Sequence, residues 1–168
     1  GAGLRPAYPD NLPRVAVDIG TSLGITTAYL VLANETAHVT TIEGDKNIAA
    51  VASHNFNGLG TKNITLVNEP FDDCLESILR QKENIDLVFI DGNHRFEPTY
   101  RYFIQLLAHI KNGSVMVFDD IHWSSEMETA WKKIKEHPAV MLTIDLFFIG
   151  LLVFRKEIRE KQAFSIRF

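Results

Sequence analysis

The chain alternates between short apolar runs rich in β-branched residues and longer stretches whose apolar positions recur at helical spacing. Arg14–Asp18 (RVAVD) predicts a strand and Leu23–Ala33 a helix. His38–Glu43 (HVTTIE) predicts a second strand, followed by a helix from about Lys46 to Phe56. Asn63–Asn68 and Phe71–Gln81 repeat the strand-helix order. Asp86–Asp91 (DLVFID) and Ser114–Asp119 (SVMVFD) are almost wholly apolar, as strands buried on both faces are. Between them Pro98–Ile110 reads as a helix, with Pro98 in its first turn, where the missing N–H costs little. Ser125–Glu136 reads as another, ending before Pro138.

Regular alternation of this kind implies a mostly parallel sheet with right-handed crossovers and helices on both faces. The end of the chain departs from it. Val140–Ile144 and Gly150–Arg155 are strands with no room for a helix between them, so they must form an antiparallel hairpin. Ala163–Phe168 alternates over a short span and is a candidate edge strand. The hairpin turn falls at the carboxyl edge of the sheet, where Leu146, Phe147 and Phe148 are too apolar for an open loop. They are expected to be covered, lining a substrate pocket or a subunit contact; the plain alternative is ordinary packing against the C-terminal tail.

Neither repeats nor linkers divide the 168 residues, so a single domain is expected over 1–168, with a short lead (1–13), a core (14–154) and a tail (155–168). A hydrophobic fraction of 46% and a charged fraction of 23% are those of a soluble globular protein. The net charge of −4 argues against nucleic acid as a partner. The basic residues Arg155, Lys156, Arg159 and Lys161 are interrupted by Glu157 and Glu160 and read as a solvated face. The longest apolar run, Leu146–Phe154, is too short to span a membrane as a helix. The single cysteine, Cys74, excludes an intrachain disulfide; with no signal-peptide pattern, the cytoplasm is the expected compartment.

In open α/β sheets ligands bind beyond the carboxyl ends of the strands. Those ends carry Asp18-Ile19-Gly20-Thr21-Ser22-Leu23-Gly24, Glu43-Gly44-Asp45, Asp91-Gly92-Asn93-His94 and Asp119-Asp120-Ile121-His122-Trp123. Gly20 and Gly24 allow a tight turn and a close approach of a ligand to the backbone. Glu43 is placed to accept ribose hydroxyls; the plain alternative is an acid at a strand end beside water. An oxidoreductase on a similar sheet would need a glycine two residues after Gly20, which is absent. His94 suits proton removal near neutral pH, or else it only bonds its own loop. Asp119 and Asp120 have structural alternatives as a helix cap and a solvated acid.

The segments VDIGTSLGITTAYL, VTTIEGD, LVFIDGNH and VMVFDDIHW resemble, in order and spacing, the successive motifs of class I methyltransferases. They are most similar to the metal-dependent O-methyltransferases of the catechol and caffeoyl-coenzyme A type, over about Arg14 to Phe154. The resemblance implies a Rossmann-like α/β sheet of about seven strands ending in the hairpin. It also implies S-adenosylmethionine as cofactor and methyl transfer to an oxygen nucleophile of a small molecule. By position, Asp18 would lie by the cofactor's amino group, directly or through water. Gly20, Thr21, Ser22 and Gly24 would wrap the methionine portion, with Thr26 near its carboxylate. Glu43 would hold the ribose, and the Pro70-Phe71-Asp72 turn would border the adenine, although Glu69 stands where relatives often have glycine. Asp91, Asp119 and Asp120 fall on the ligand positions for Mg²⁺ or a similar divalent cation. His94 replaces the lysine base of the catechol group, so His94 and Asp91 are the expected catalytic pair. The other function class is a non-catalytic S-adenosylmethionine-binding or interaction module. Only about a dozen residues precede Arg14, where such enzymes carry a closing helical segment. The pocket is therefore expected to be trimmed, open, or covered by another subunit, as in a homodimer.

Overall fold

A computed structural model of the protein describes residues 12–167; the first eleven residues of the expected lead, and Phe168, lie outside the described residues. The chain runs β1 (Val15–Ile19), α1 (Ile25–Ala33), β2 (His38–Ile42), α2 (Lys46–Leu59), β3 (Ile64–Val67), α3 (Phe71–Arg80) and β4 (Ile85–Ile90). It continues through α4 (Phe96–Leu107), β5 (Ile110–Phe118), α5 (Ser125–Glu136), β6 (Leu142–Asp145), β7 (Gly150–Val153) and β8 (Gln162–Ser165). These strands form one sheet in the order β3-β2-β1-β4-β5-β7-β6-β8. The expected mostly parallel α/β sheet is present, and so is the antiparallel hairpin. β7 inserts between β5 and β6 and runs antiparallel to both, so β6 keeps the direction of β5. The sheet has eight strands rather than about seven, because β8 adds to β6 in parallel.

Local chemistry sets the helix ends. Asp45 caps α2 by accepting from the N–H groups of Asn47 and Ile48, at 2.8 and 3.0 Å, and Gly60 ends it in the left-handed region. Ser124 caps α5 through the Met127 N–H at 3.2 Å. In α3 the apolar positions Cys74, Leu75, Ile78 and Leu79 share one buried face, with Asp72 and Asp73 in the first turn and Arg80 in the last, as the helix dipole favours. Several boundaries shift by a few residues from the sequence expectation. α4 starts two residues before Pro98, still leaving the proline in its first turn. β5 begins at Ile110, where it pairs with Ile85 before a register shift, and Gly113 takes a φ of 92°.

The larger core lies between the sheet and α3, α4 and α5, where Tyr102, Phe103, Leu106, Trp131 and Ile134 are at most 2% exposed. A smaller core of Ala16, Val31 and Val39 underlies α1. That helix has no charged residue and is apolar on both sides. Its Thr27, Ala28 and Val31 are buried, while Ile25, Tyr29 and Leu32 are exposed and, with Leu59 of α2, line a groove of about 430 Å³. Among the described residues no helix is long and apolar enough to cross a membrane.

Gly150 opens β7 against the buried indole of Trp131; a Cβ there would stand 2.7 Å from Cη2 and 2.9 Å from two further ring atoms. The indole is itself tied by its Nε1–H to Asp145 Oδ2 at 3.3 Å. Gly150→Ala is therefore expected to lower stability by about 1–3 kcal/mol, the usual cost of overpacking. A urea midpoint equal to wild type would show that the indole moves freely.

Candidate active site at the strand-end edge

The turn after β1 is set by contacts between backbones. Gly20 has a φ of 110°, and a Cβ on it would lie 2.0 Å from the carbonyl oxygen of Asp91, so no other residue fits there. The N–H groups of Gly20 and Thr21 both donate to the carbonyl of Ile42, at 3.1 and 3.0 Å. Glu43 folds over this turn: its Oε2 accepts from the N–H of Ser22 and its Oε1 from that of Asp45, both at 2.9 Å. Gly24 then enters α1 in the left-handed region with the ring of Phe56 pressed against it, where a Cβ would stand 2.5 Å away. Thr26 sits half-buried at the second position of α1.

The loop after β4 brings the acids together. His94 Nε2 lies 3.2 Å from Asp91 Oδ1, and its Nδ1 lies 3.9 Å from Asp120 Oδ2. Each of the three side chains is about one-third exposed. The hydrogen bond that His94 donates to Asp91 raises the His94 pKa above its ordinary value; burial opposes this, and the charges of Asp91, Asp120 and Asp119 add to it. Burial likewise raises the Asp119 carboxyl, helped by the like charges of Asp91 and Asp120. Gly92 lets the ring of Phe71 lie against the loop, at a point where a Cβ would come within 2.5 Å of it. Phe71 therefore lies against the loop that carries His94.

The expected three-carboxylate metal centre is not formed by these side chains. Among the described residues no group of three or more His, Cys, Asp or Glu is arranged to hold a metal ion. Asp119 Oδ1 instead accepts the N–H of Asp120 at 2.9 Å, the chain reverses at Asp120 with a φ of 55°, and the imidazole of His94 bridges from Asp91 to Asp120.

Backbone strain collects at the same edge. Among the described residues six non-glycine positions have a positive φ; five of them, Ser22, Asn93, His94, Asp120 and Phe147, lie in the loops that follow the carboxyl ends of strands. Such conformations are disfavoured and persist where surrounding structure enforces them, commonly at functional sites.

The hairpin turn forms the outer wall. Asp120, His122, Trp123, Phe147 and Phe148 line a cavity of about 130 Å³. Phe147 and Phe148 nevertheless remain 45% and 66% exposed within the single chain, against the expectation that they are covered. The β6–β7 ladder stops at the Asp145–Gly150 pair, so the residues between them project past the sheet. Asp145, only 8% exposed, holds this wall from below. It takes His122 Nε2 at 3.0 Å and the N–H of Phe147 at 3.0 Å.

A family model described as a methyltransferase domain matches residues 17–121, from β1 through the acid pair after β5. The chain belongs to that family. Solved structures share its fold. The O-methyltransferase of Bacillus cereus, in complex with SAH, is 21% identical, with 85% of this chain and 75% of that one covered at a TM-score of 0.72. The O-methyltransferase TomG of Streptomyces achromogenes, in complex with SAM, is 18% identical over 86% and 74% of the two chains, with a TM-score of 0.73. SAH-bound PaMTH1, a methyltransferase of Podospora anserina, is 15% identical over 86% and 73%, with a TM-score of 0.72. At these identities the likeness is one of fold. Over 68 residues the chain is also 34% identical to the uncharacterized protein R132 of Acanthamoeba polyphaga mimivirus, a match that covers 38% of this chain and 31% of that protein.

Two expected contact residues of the methyltransferase domain also hold partners within the chain. Asp18 is fully buried beneath the turn rather than presented at the surface. Its Oδ2 accepts from the hydroxyls of Thr27 and Thr41, while Oδ1 is buried without a partner among the described residues. Asp72 accepts from Arg101 Nη1 at 2.9 Å and from the Tyr102 hydroxyl at 2.8 Å, and Asn93 donates to that hydroxyl at 2.6 Å. Asp72 thus latches the start of α3 to α4 and to the loop that carries His94. Thr27, Thr41 and Tyr102 were not singled out from the sequence. The paired threonines Thr26-Thr27 and Thr40-Thr41, unusual in a buried helix turn and a buried strand, were the available sign.

Burial pushes the Asp18 carboxyl up to about 6 from 3.8, against the bonds from Thr27 and Thr41 that favour its charged form. The folded state therefore holds this proton more tightly than the unfolded chain does. The associated stability is fully present below about pH 4 and is lost as the pH rises through about 6, on the order of 3 kcal/mol in all. Asp18→Asn is expected to flatten that part of the stability profile, read as denaturation midpoints between pH 4 and 7. An unchanged slope in the variant would assign the dependence to another group.

Proposed function

We propose that the domain transfers a methyl group from S-adenosylmethionine to an oxygen nucleophile of a small molecule. The observation that carries this reading is the convergence, on one edge, of the Gly20–Gly24 turn under Glu43 with the Asp91–His94–Asp120 group. Three solved structures of the same fold are bound to SAH or SAM, which supports the choice of cofactor.

The residues present fit such a cofactor. The turn offers backbone without side chains, Glu43 offers a carboxylate for ribose hydroxyls, and Phe71 offers an apolar edge for a base. Asp18 Oδ1 is a buried acceptor with no donor among the described residues, the kind of atom that an amino group would satisfy. When bound, S-adenosylmethionine supplies a methyl group activated on a sulfonium. The chain's own contribution is to align the acceptor, exclude water and take its proton. His94 takes that proton. Asp91 holds the ring, and the neighbouring carboxylates make it more basic than a free imidazole, while leaving less of it unprotonated at neutral pH. Among the described residues Asp91, Asp119 and Asp120 are not gathered around one point: Asp119 Oδ1 accepts its neighbour's N–H, and His94 stands between the other two, 3.2 Å from Asp91 and 3.9 Å from Asp120.

Two variants test the reading. Glu43→Ala is expected to weaken S-adenosylhomocysteine binding by about 10- to 100-fold, the scale of a lost bond to a charged acceptor, measured by calorimetry. An affinity equal to wild type would remove the ribose assignment. His94→Gln is expected to keep that affinity while methyl transfer to a panel of hydroxylated compounds, followed by mass spectrometry, falls by about 10²- to 10⁴-fold. Undiminished transfer would move the base elsewhere; absence of transfer by the wild type, with cofactor bound, would favour a binding module.

A further inference from the structure

The eighth strand has no core to explain it. All four residues of β8 are exposed. The strand is nonetheless firmly held. It pairs with β6 from Leu142–Gln162 to Asp145–Ser165, and the N–H of Ile166 donates to the carbonyl of Asp145 at 2.9 Å. Lys161 anchors its start by donating to the carbonyls of Lys135, Glu136 and His137 at 3.1, 2.9 and 3.1 Å, closing the end of α5. Because β8 runs parallel to β6, it points toward the strand-end edge and delivers Arg167 there.

Arg167 meets the outer wall of the site. Its guanidinium lies 5.3 Å from the centroid of the Phe147 ring and forms no ion pair with a described residue. Phe147 also stacks on His122, with centroids 5.8 Å apart. The same ring helps to line the cavity that reaches Asp120. The edge is acidic through Asp91, Asp119, Asp120 and Asp145. It also carries basic residues, Lys46 at the start of α2 and Arg95 beside His94; Arg167 is the one set over the Phe147 ring of the outer wall.

We propose that Arg167 is a specificity-determining residue that selects a small hydroxy acid as methyl acceptor, by pairing with its carboxylate. This rests on the methyl-transfer reading above. The acids orient the molecule: its carboxylate is driven outward to Arg167 and its hydroxyl turns inward to Asp120 and His94. A flat apolar body fits between, against Phe147, Phe148 and Trp123. The ring beneath the guanidinium holds it in place, so less freedom is lost on pairing than for a free surface arginine. Solvent screening at this exposed position keeps the effect moderate.

The test compares binding of 4-hydroxybenzoate with that of its neutral isostere 4-hydroxybenzamide, to the full chain saturated with S-adenosylhomocysteine. Wild type is expected to prefer the acid by about five- to tenfold, in the range of a partly exposed charged hydrogen bond. Arg167→Gln is expected to abolish the preference and Arg167→Lys to retain part of it. An equal affinity for acid and amide in wild type, a preference that survives Arg167→Gln, or failure of both probes to bind at millimolar concentration would each overturn the inference. S-adenosylhomocysteine affinity, measured first on each protein, is expected to be the same in all three. Its absence from wild type would overturn the methyl-transfer reading instead.

Discussion

At Gly20 the backbone of β1 passes so close to Asp91 that the carbonyl oxygen of the acid occupies the place of a side chain. The rest of the strand-end edge is built around that approach. It fixes how far the first loop stands from the fourth, and so the distance between the turn under Glu43 and the imidazole of His94. Two N–H groups of the turn share the single carbonyl of Ile42, which draws the end of β2, and Glu43 with it, into the same small space. A glycine here is demanded twice, by the positive φ and by the missing volume. The positive φ values at Ser22, Asn93, His94 and Asp120 follow from the same crowding, since loops that converge this tightly must reverse sharply.

The placement of chemistry at this edge was legible in the sequence because it depends on strand ends, and strand ends are marked by acids and glycines after apolar runs. The alternation of elements and the hairpin followed from run lengths alone. What the acids do once they arrive was harder to read. Asp18 and Asp72, both expected to make ligand contacts, are also bonded by hydroxyls or a guanidinium from other elements. Those bonds are tertiary facts: Thr27 lies on α1, Thr41 on β2, and Tyr102 and Arg101 on α4. The acid pair at 119 and 120 makes a local contact that the sequence does not announce, since the first acid satisfies the backbone N–H of the second.

The eighth strand was visible only as a short alternating segment. Edge strands carry weak patterns, because neither face has to be apolar when both meet water. In the fold its position is determined by backbone pairing to β6 and by one lysine on the end of α5. Apolar burial therefore governs the centre of the sheet, and backbone hydrogen bonding governs its rim. The phenylalanines of the hairpin turn sit where the two regimes meet: the strand ladder has ended, and the site has begun.

The order of strands on that side also determines when the sheet can be completed during synthesis. β6 emerges from the ribosome before β7, yet its place is one strand beyond it, so it has no seat on the sheet until β7 has been made. Until Leu151–Val153 arrive, the edge of β5 that carries Met116 and Phe118 is open, and Trp131 lacks the glycine against which it packs. The nascent chain thus presents a bare edge from Phe118 until Gly150–Val153 are made, and a loose indole from Trp131 until Gly150, a window in which sticky intermediates form most readily.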